Sequence, residues 1–321
     1  MKKYKRAIWF ALFLIVIFLI IKGWWGGQLS PVSDQKETKV FVINKGEGFS
    51  SVTERLKKEN LIRSSLAFSL LGKQSGLAKQ IKAGTFKISP SYKAGEILKV
   101  ITDNPIDNWV TLLEGLRVEE MAEKLNQQLG LDKKEFLKVA KEGYMFPDTY
   151  LLPKDYSASQ IVKRLRDTFE LKYSQDLADK IKVKGLTEAE GVILASIVER
   201  EARSDEAREM VASILLKRFK IEMGLNADAT IQYALGYQAD EKSWWKRHLT
   251  KDDLKVNSPY NTYLYRGLPP APICNPSLSS LQAVADADSS TPYLYYYHDS
   301  KGNSYYGKTL EEHNQNVANN P

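Results

Sequence analysis

Glu199 and Glu201 sit two residues apart at the end of an apolar stretch, "GVILASIVEREARSDEA", residues 191–207. Thr187 and Glu190 have the spacing of a capping box, which sets the start of a helix just after Thr187. At ~100° per residue, Ile193, Leu194, Ile197 and Val198 form an apolar stripe. Glu201 falls in the middle of that stripe and Glu199 on the far side. A carboxyl drawn away from water favours its neutral form, so its pKa rises. An acid still protonated near neutral pH can give its proton to the departing oxygen of a glycosidic bond. Spacing alone points first to a plainer role, an ion pair with Arg200, Arg203 or Arg208.

A saccharide site also needs hydrogen-bonding groups and aromatic platforms. The loop "SPYNTYLYRGLPPAPICNP", residues 258–276, supplies Tyr260, Asn261, Thr262 and Tyr263, and its prolines can stiffen it. "NADAT" supplies Asp228 and Thr230, just beyond a helix stop at Gly224. Glu142 and Asp148 in "EGYMFPDTY" read as turn and cap residues. Ser196 lies in mid-helix, where its hydroxyl bonds the preceding turn. His248, His298 and His313 are scattered without metal-ligand spacing, and Cys274 is the only cysteine. No phosphate-binding loop, dinucleotide fingerprint or G-x-S-x-G elbow occurs. Neither a cofactor nor a metal is expected.

The elements that must position these residues follow from periodicity and turn signals. "KVFVI" and "AGTFKIS" read as strands, with helices over "FSSVTERLKKENLI", "RSSLAFSLLGKQSG" and "SYKAGEILKVITD". Residues 39–104 thus form a small α/β unit. Beyond it, "NWVTLLEG" reads as a strand and "LRVEEMAEKLNQQLG" as a helix ending at Gly130. "YMFPDTYLLPKD" reads as a structured loop, and the chain from residue 186 is mainly helical. "PYLYYYHDSKGNSYYG" is a hairpin that turns over residues 299–303.

The net charge is +7, but Lys2, Lys3, Lys5, Arg6 and Lys22 carry five of those charges. The near-neutral remainder argues against a nucleic-acid partner. The basic tail, residues 1–6, precedes fifteen apolar residues, "AIWFALFLIVIFLII", and then Lys22, Trp24 and Trp25. Residues 7–25 are expected to form a single-pass transmembrane anchor with the tail in the cytoplasm. Two tryptophans stand where a signal-peptide cleavage site would need small residues. Residues 26–38 read as a tether.

Several segments in order, "AGTFKIS", "LLEGLRVEEMAEKL", "EGYMFPDTY", "LASIVEREA", "YNTYLYRGLPPAPICNP" and "TPYLYYYHD", resemble the YceG-like family of endolytic murein transglycosylases. The resemblance spans most of residues 39–314. It implies an α+β fold: an N-terminal transmembrane helix, a LysM-like glycan-binding domain at 39–104, and a mainly helical catalytic domain with a β-hairpin at 105–321. It implies an enzyme on the inner (cytoplasmic) membrane with its bulk outside the cytoplasm. The second glutamate of the E-x-E pair, Glu201, is the catalytic acid by this resemblance. Asp228, Thr230, Tyr260, Asn261, Thr262 and Tyr263 become substrate-binding candidates. The implied reaction cleaves the MurNAc–GlcNAc β-1,4 bond of nascent peptidoglycan strands and leaves a 1,6-anhydromuramyl end, limiting strand elongation. Cell-wall synthases of the elongation or division machinery are implied partners. The chain departs from the family at "LNADAT", residues 225–230, where relatives often carry L-Q-T-D-P-T. The alternatives are a lysozyme-like hydrolase and a non-catalytic glycan-binding scaffold.

Overall fold

The computed structural model describes residues 2–103 and 105–320, with side chains described at Trp9 and from residue 12 onward. The N-terminal segment forms α1 (Lys2–Gln28). Among the described residues, however, no helix is long and apolar enough to cross a membrane. The expected anchor at residues 7–25 is therefore corrected, and the single-pass, inner-membrane location goes with it. Length is the reason. The apolar run of the sequence, Ala7 to Ile21, counts fifteen residues and is followed by Lys22 and Gly23. Fifteen helical residues would rise ~22 Å, short of the ~30 Å hydrocarbon thickness. Ala7, Ile8, Phe10 and Ala11 of the expected span lie outside the residues whose side chains are described.

Packing divides the chain into two units, Met1–Val110 with Tyr150–Asp155, and Thr111–Thr149 with Tyr156–Pro321. In the first, β1 (Lys39–Ile43), β2 (Gly84–Ile88), β3 (Asp107–Thr111) and β4 (Thr149–Pro153) form one sheet in sequential order. β1 and β2 pair antiparallel with Phe41 opposite Phe86. Strand alternation turns Phe41, Ile43, Phe86 and Ile88 inward. There they meet Val52 and Leu56 of α2 (Phe49–Lys58), Phe68 of α3 (Ser65–Gln74), and Ile97 and Ile101 of α4 (Ala94–Thr102). Gly84 has φ +142°, and a Cβ there would collide with the Asp107 carbonyl, so glycine lets β3 approach β2. β4 lies inside the segment expected to be a loop. Its proline takes the last strand position, while Tyr150 and Leu152 alternate inward.

The second unit is mainly helical. Its elements are α5 (Val118–Leu129), α6 (Lys133–Val139), α7 (Ala158–Lys172), α8 (Gln175–Val183), α9 (Glu188–Glu201), α10 (Asp205–Lys220), α11 (Asp228–Leu235), α12 (Leu278–Asp286), the hairpin β5 (Tyr295–His298) and β6 (Ser304–Gly307), and α13 (Leu310–Asn319). α9 is the central helix, packed by α8, α10, α11 and α12. Residues 191–198 are all buried, so the helix has no solvent side over that span. Gly191 allows the closest approach, because a Cβ there would press into Ile181 of α8 at 2.7 Å.

Ser196 ties α9 to the segment before α12. Its hydroxyl donates to the Ile193 carbonyl at 2.7 Å and accepts the Ile273 amide at 3.0 Å. Ser196→Ala would leave that buried amide unpaired, a loss of about 1–3 kcal/mol. Urea unfolding should show this as a lower midpoint with an unchanged slope.

Candidate active site

α9 begins as a capping box. The Thr187 hydroxyl accepts the Glu190 amide at 3.3 Å, and the Glu190 carboxylate accepts the Thr187 amide at 2.8 Å. The helix runs to Glu201 and stops where Ala202 turns extended, with φ −131° and ψ 144°. Glu201 is thus the last helical residue, at the end where the helix dipole disfavours a negative charge. One Glu201 oxygen accepts the Ala229 amide, at the N-terminus of α11, at 3.1 Å. The Tyr296 hydroxyl of β5 also hydrogen-bonds the carboxyl.

Burial dominates the electrostatics of Glu201 and pushes its pKa up to about 7. The Asp228 charge pushes the same way, while the Ala229 and Tyr296 hydrogen bonds and the Arg200 charge oppose it. The outcome is a carboxyl that retains its proton close to neutrality.

A groove of about 510 Å³ opens beside it, walled by Asn226, Asp228, Tyr263, Arg218, Tyr295 and Tyr296. Tyr263 donates to Asp228 at 2.6 Å. Arg218 is buried and donates to the carbonyls of Leu294 at 2.6 Å and Leu225 at 2.7 Å, fastening the hairpin and the 225–230 loop to α10. A second chamber of about 290 Å³ shares Glu201 and His298 with the groove and continues to Arg200 and Arg203. Glu201 stands at the junction of the two. A larger cavity, about 650 Å³, shares Arg200 and Arg203 with the second chamber but does not reach Glu201.

The expected site residues are placed unequally. Asp228 and Tyr263 line the groove with Glu201. Thr230 and Thr262 are buried and bond each other at 2.9 Å, and the Thr262 hydroxyl accepts the Ala227 amide. Asn261 is fully buried. Its amide donates to Leu254 and Val256 carbonyls, and its oxygen accepts the amides of Tyr263 and Leu264. These three side chains shape the loop that carries Tyr263. Tyr260 packs its ring on Tyr233 at 4.7 Å.

Glu199 corrects the helical-wheel expectation. It is not on an outer face: its side chain is 5% exposed. It accepts the Ser277 amide at 2.8 Å and the Ser280 hydroxyl at 2.7 Å, and pairs with Arg208 at 3.5 Å. The ion-pair role applies to this glutamate, which also caps α12. Glu142 accepts the first amide of α5, from Val118, at 3.1 Å and the Asn275 side chain at 2.8 Å. Its burial lifts its pKa to about 8, and the Glu119 charge adds to this. Among the described residues no group of three or more His, Cys, Asp or Glu is placed to hold a metal.

Sequence reasoning missed Tyr296, Arg218 and His298. Arg218 carried a usable signal, a lone arginine among the apolar residues of "SILLKRFK". Tyr296 did not, since three consecutive tyrosines leave the inward face undetermined.

The model of the YceG-like family matches residues 41–319. The chain belongs to the YceG-like family. An endolytic murein transglycosylase of Bacillus subtilis is 30% identical over 320 residues, covering 89% of this chain and 86% of that protein. The endolytic murein transglycosylase of Streptococcus pneumoniae serotype 2 is 27% identical; the match covers 95% of this chain but 64% of that longer protein. A crystal structure of a YceG-like protein from Listeria monocytogenes superposes with a TM-score of 0.62 at 28% identity, covering 88% of this chain and 99% of that one.

The raised pKa of Glu201 has a stability consequence of fixed sign. Between the ordinary value of 4.5 and about 7, the folded state holds a proton that the unfolded chain releases. Stability from this group is therefore full below 4.5 and is lost as pH rises through about 7. Glu201→Gln should remove that loss and be more stable than the parent at pH ~8, by on the order of 2 kcal/mol, with little difference at pH ~4. Thermal unfolding of both proteins across this range checks it.

Proposed function

We propose that this YceG-like chain is an endolytic lytic transglycosylase of murein glycan strands, with Glu201 as its catalytic acid. The observation that carries the proposal is a buried carboxyl, its pKa raised by burial to about 7, at the junction of two chambers where a polymer can pass with one bond beside the acid. The names of the B. subtilis and S. pneumoniae relatives support the substrate class.

Glu201 gives its proton to the glycosidic oxygen as the bond from that oxygen to muramyl C1 breaks. The muramyl C6 hydroxyl attacks C1, and its proton passes to the Glu201 carboxylate, restoring the acid. No water is consumed, and the product carries a 1,6-anhydro ring. Because nucleophile and electrophile belong to one sugar, proximity replaces a water-activating base. The Ala229 amide and Tyr296 hydroxyl aim the carboxyl and steady its anionic form after proton donation. Tyr263 and Asp228 offer polar wall to the sugar hydroxyls. The unit of residues 39–104 acts in this scheme as a LysM-like glycan-binding module, and wall synthases are the partners that supply nascent strands.

Asp228 supports a second reading. It is a carboxylate in the same groove as Glu201, and a pair of carboxylates is what a hydrolase uses. The mass of the product separates the two: a transglycosylase leaves ends lacking one water, a hydrolase leaves ends containing it. With uncrosslinked glycan we expect anhydro ends and a rate that falls as pH rises through about 7. Glu201→Gln should cut the rate by roughly 10²–10⁴-fold. Full activity in that variant would refute the assignment.

A further inference from the structure

Two arginines beside the acid are left over once the charges of the cleft are paired. Arg200 and Arg203 line both the second chamber and the larger cavity, so they form the passage between them. Around them, Glu201 feels the Arg200 charge without forming an ion pair with it, and the other carboxylates are engaged elsewhere or driven neutral. Glu199 is held by Ser277, Ser280 and Arg208. Asp299 accepts the amides of Lys301 and Asn303 within its own turn. Asp148 accepts the Thr149 amide. Glu114 is driven toward its neutral form by burial and the neighbouring Glu199 charge. Among the described residues no carboxylate pairs with Arg200 or Arg203, although both are exposed.

Arg200 is also fixed in place. Its guanidinium lies over the Trp245 ring at 3.7 Å from the centroid. A guanidinium stacked by its face keeps its N–H edge free for a planar, two-oxygen acceptor. The Arg208 Nε, on the wall of the larger cavity, is a third donor, buried and without a partner. Donors with this geometry and no internal acceptor are suited to a carboxylate.

We propose that Arg200 and Arg203 form an anion subsite that takes a carboxylate branching from the glycan while the scissile bond lies at Glu201. The subsite deepens the murein reading and rests on it. Each muramyl sugar carries a lactyl group that ends either in its own carboxyl or in a peptide with a terminal carboxyl. Either presents the shared chemistry. The larger cavity, about 650 Å³, lies beyond the arginines and has room for such a branch.

Binding tests this independently of cleavage. Glu201→Gln protein, which leaves strands intact, is titrated with three probes: peptide-bearing murein strands, murein strands stripped to the lactyl carboxyl by an amidase, and uncharged chitin oligosaccharides. Adding Arg203→Gln should weaken binding to one or both murein probes by roughly five- to tenfold and leave chitin binding unchanged. The probe that suffers identifies the source of the carboxylate. The loss should shrink with added salt in the parent-to-variant comparison. Among the described residues Arg203 makes no hydrogen bond or ion pair, so its removal leaves the fold intact; Arg200→Gln provides the second variant. Unchanged affinity for both murein probes, or an equal loss on chitin, overturns the subsite. Failure of the unsubstituted protein to cleave any strand would refute the proposed activity and not this result.

Discussion

The raised pKa of Glu201 depends on where a helix with a buried middle ends. α9 is enclosed over residues 191–198, and Glu201, whose carboxyl is still buried, is its last residue. At that point the helix dipole, the loss of water and the Asp228 charge all favour the neutral acid, and a single backbone amide with one tyrosine hydroxyl keeps it aimed. Neighbouring parts of the unit can be understood by how they hold this end. Ser196 binds the segment before α12, and Arg218 fastens both the hairpin and the 225–230 loop.

Two glutamates separated by one residue meet opposite surroundings. Glu199 turns to the α12 N-terminus, where two serines and Arg208 satisfy it. Glu201 turns to the junction of two chambers, where it meets one amide and one phenol. The first side chain contributes to the fold by capping and pairing. The second is under-satisfied as an anion, and its pKa is raised accordingly.

The start of α9 was legible because its capping box is local, and Glu201 was legible because the apolar stripe pointed to it. Glu199 was misplaced by the same wheel. The wheel assumes one solvent face, whereas α9 is packed by helices from several sides, a tertiary fact that periodicity does not encode. β4 was hidden by its proline, which sits harmlessly at the strand end. In the loop of residues 258–276 the residue types were informative but their directions were not. Tyr263 faces the groove, while Asn261 and Thr262 turn inward to satisfy the loop backbone. The N-terminal apolar run reaches the length of a span only when counted past Lys22 to the tryptophans, and among the described residues no helix is long and apolar enough to cross a membrane.

The most direct test of the central claim is a titration of the Glu201 carboxyl itself, by carbon NMR of protein labelled at glutamate side chains and assigned against Glu201→Gln. The account predicts a midpoint at about 7 for this group. A midpoint near the ordinary glutamate value of 4.5 would contradict it, because the acid would then be ionised where it is required to carry its proton.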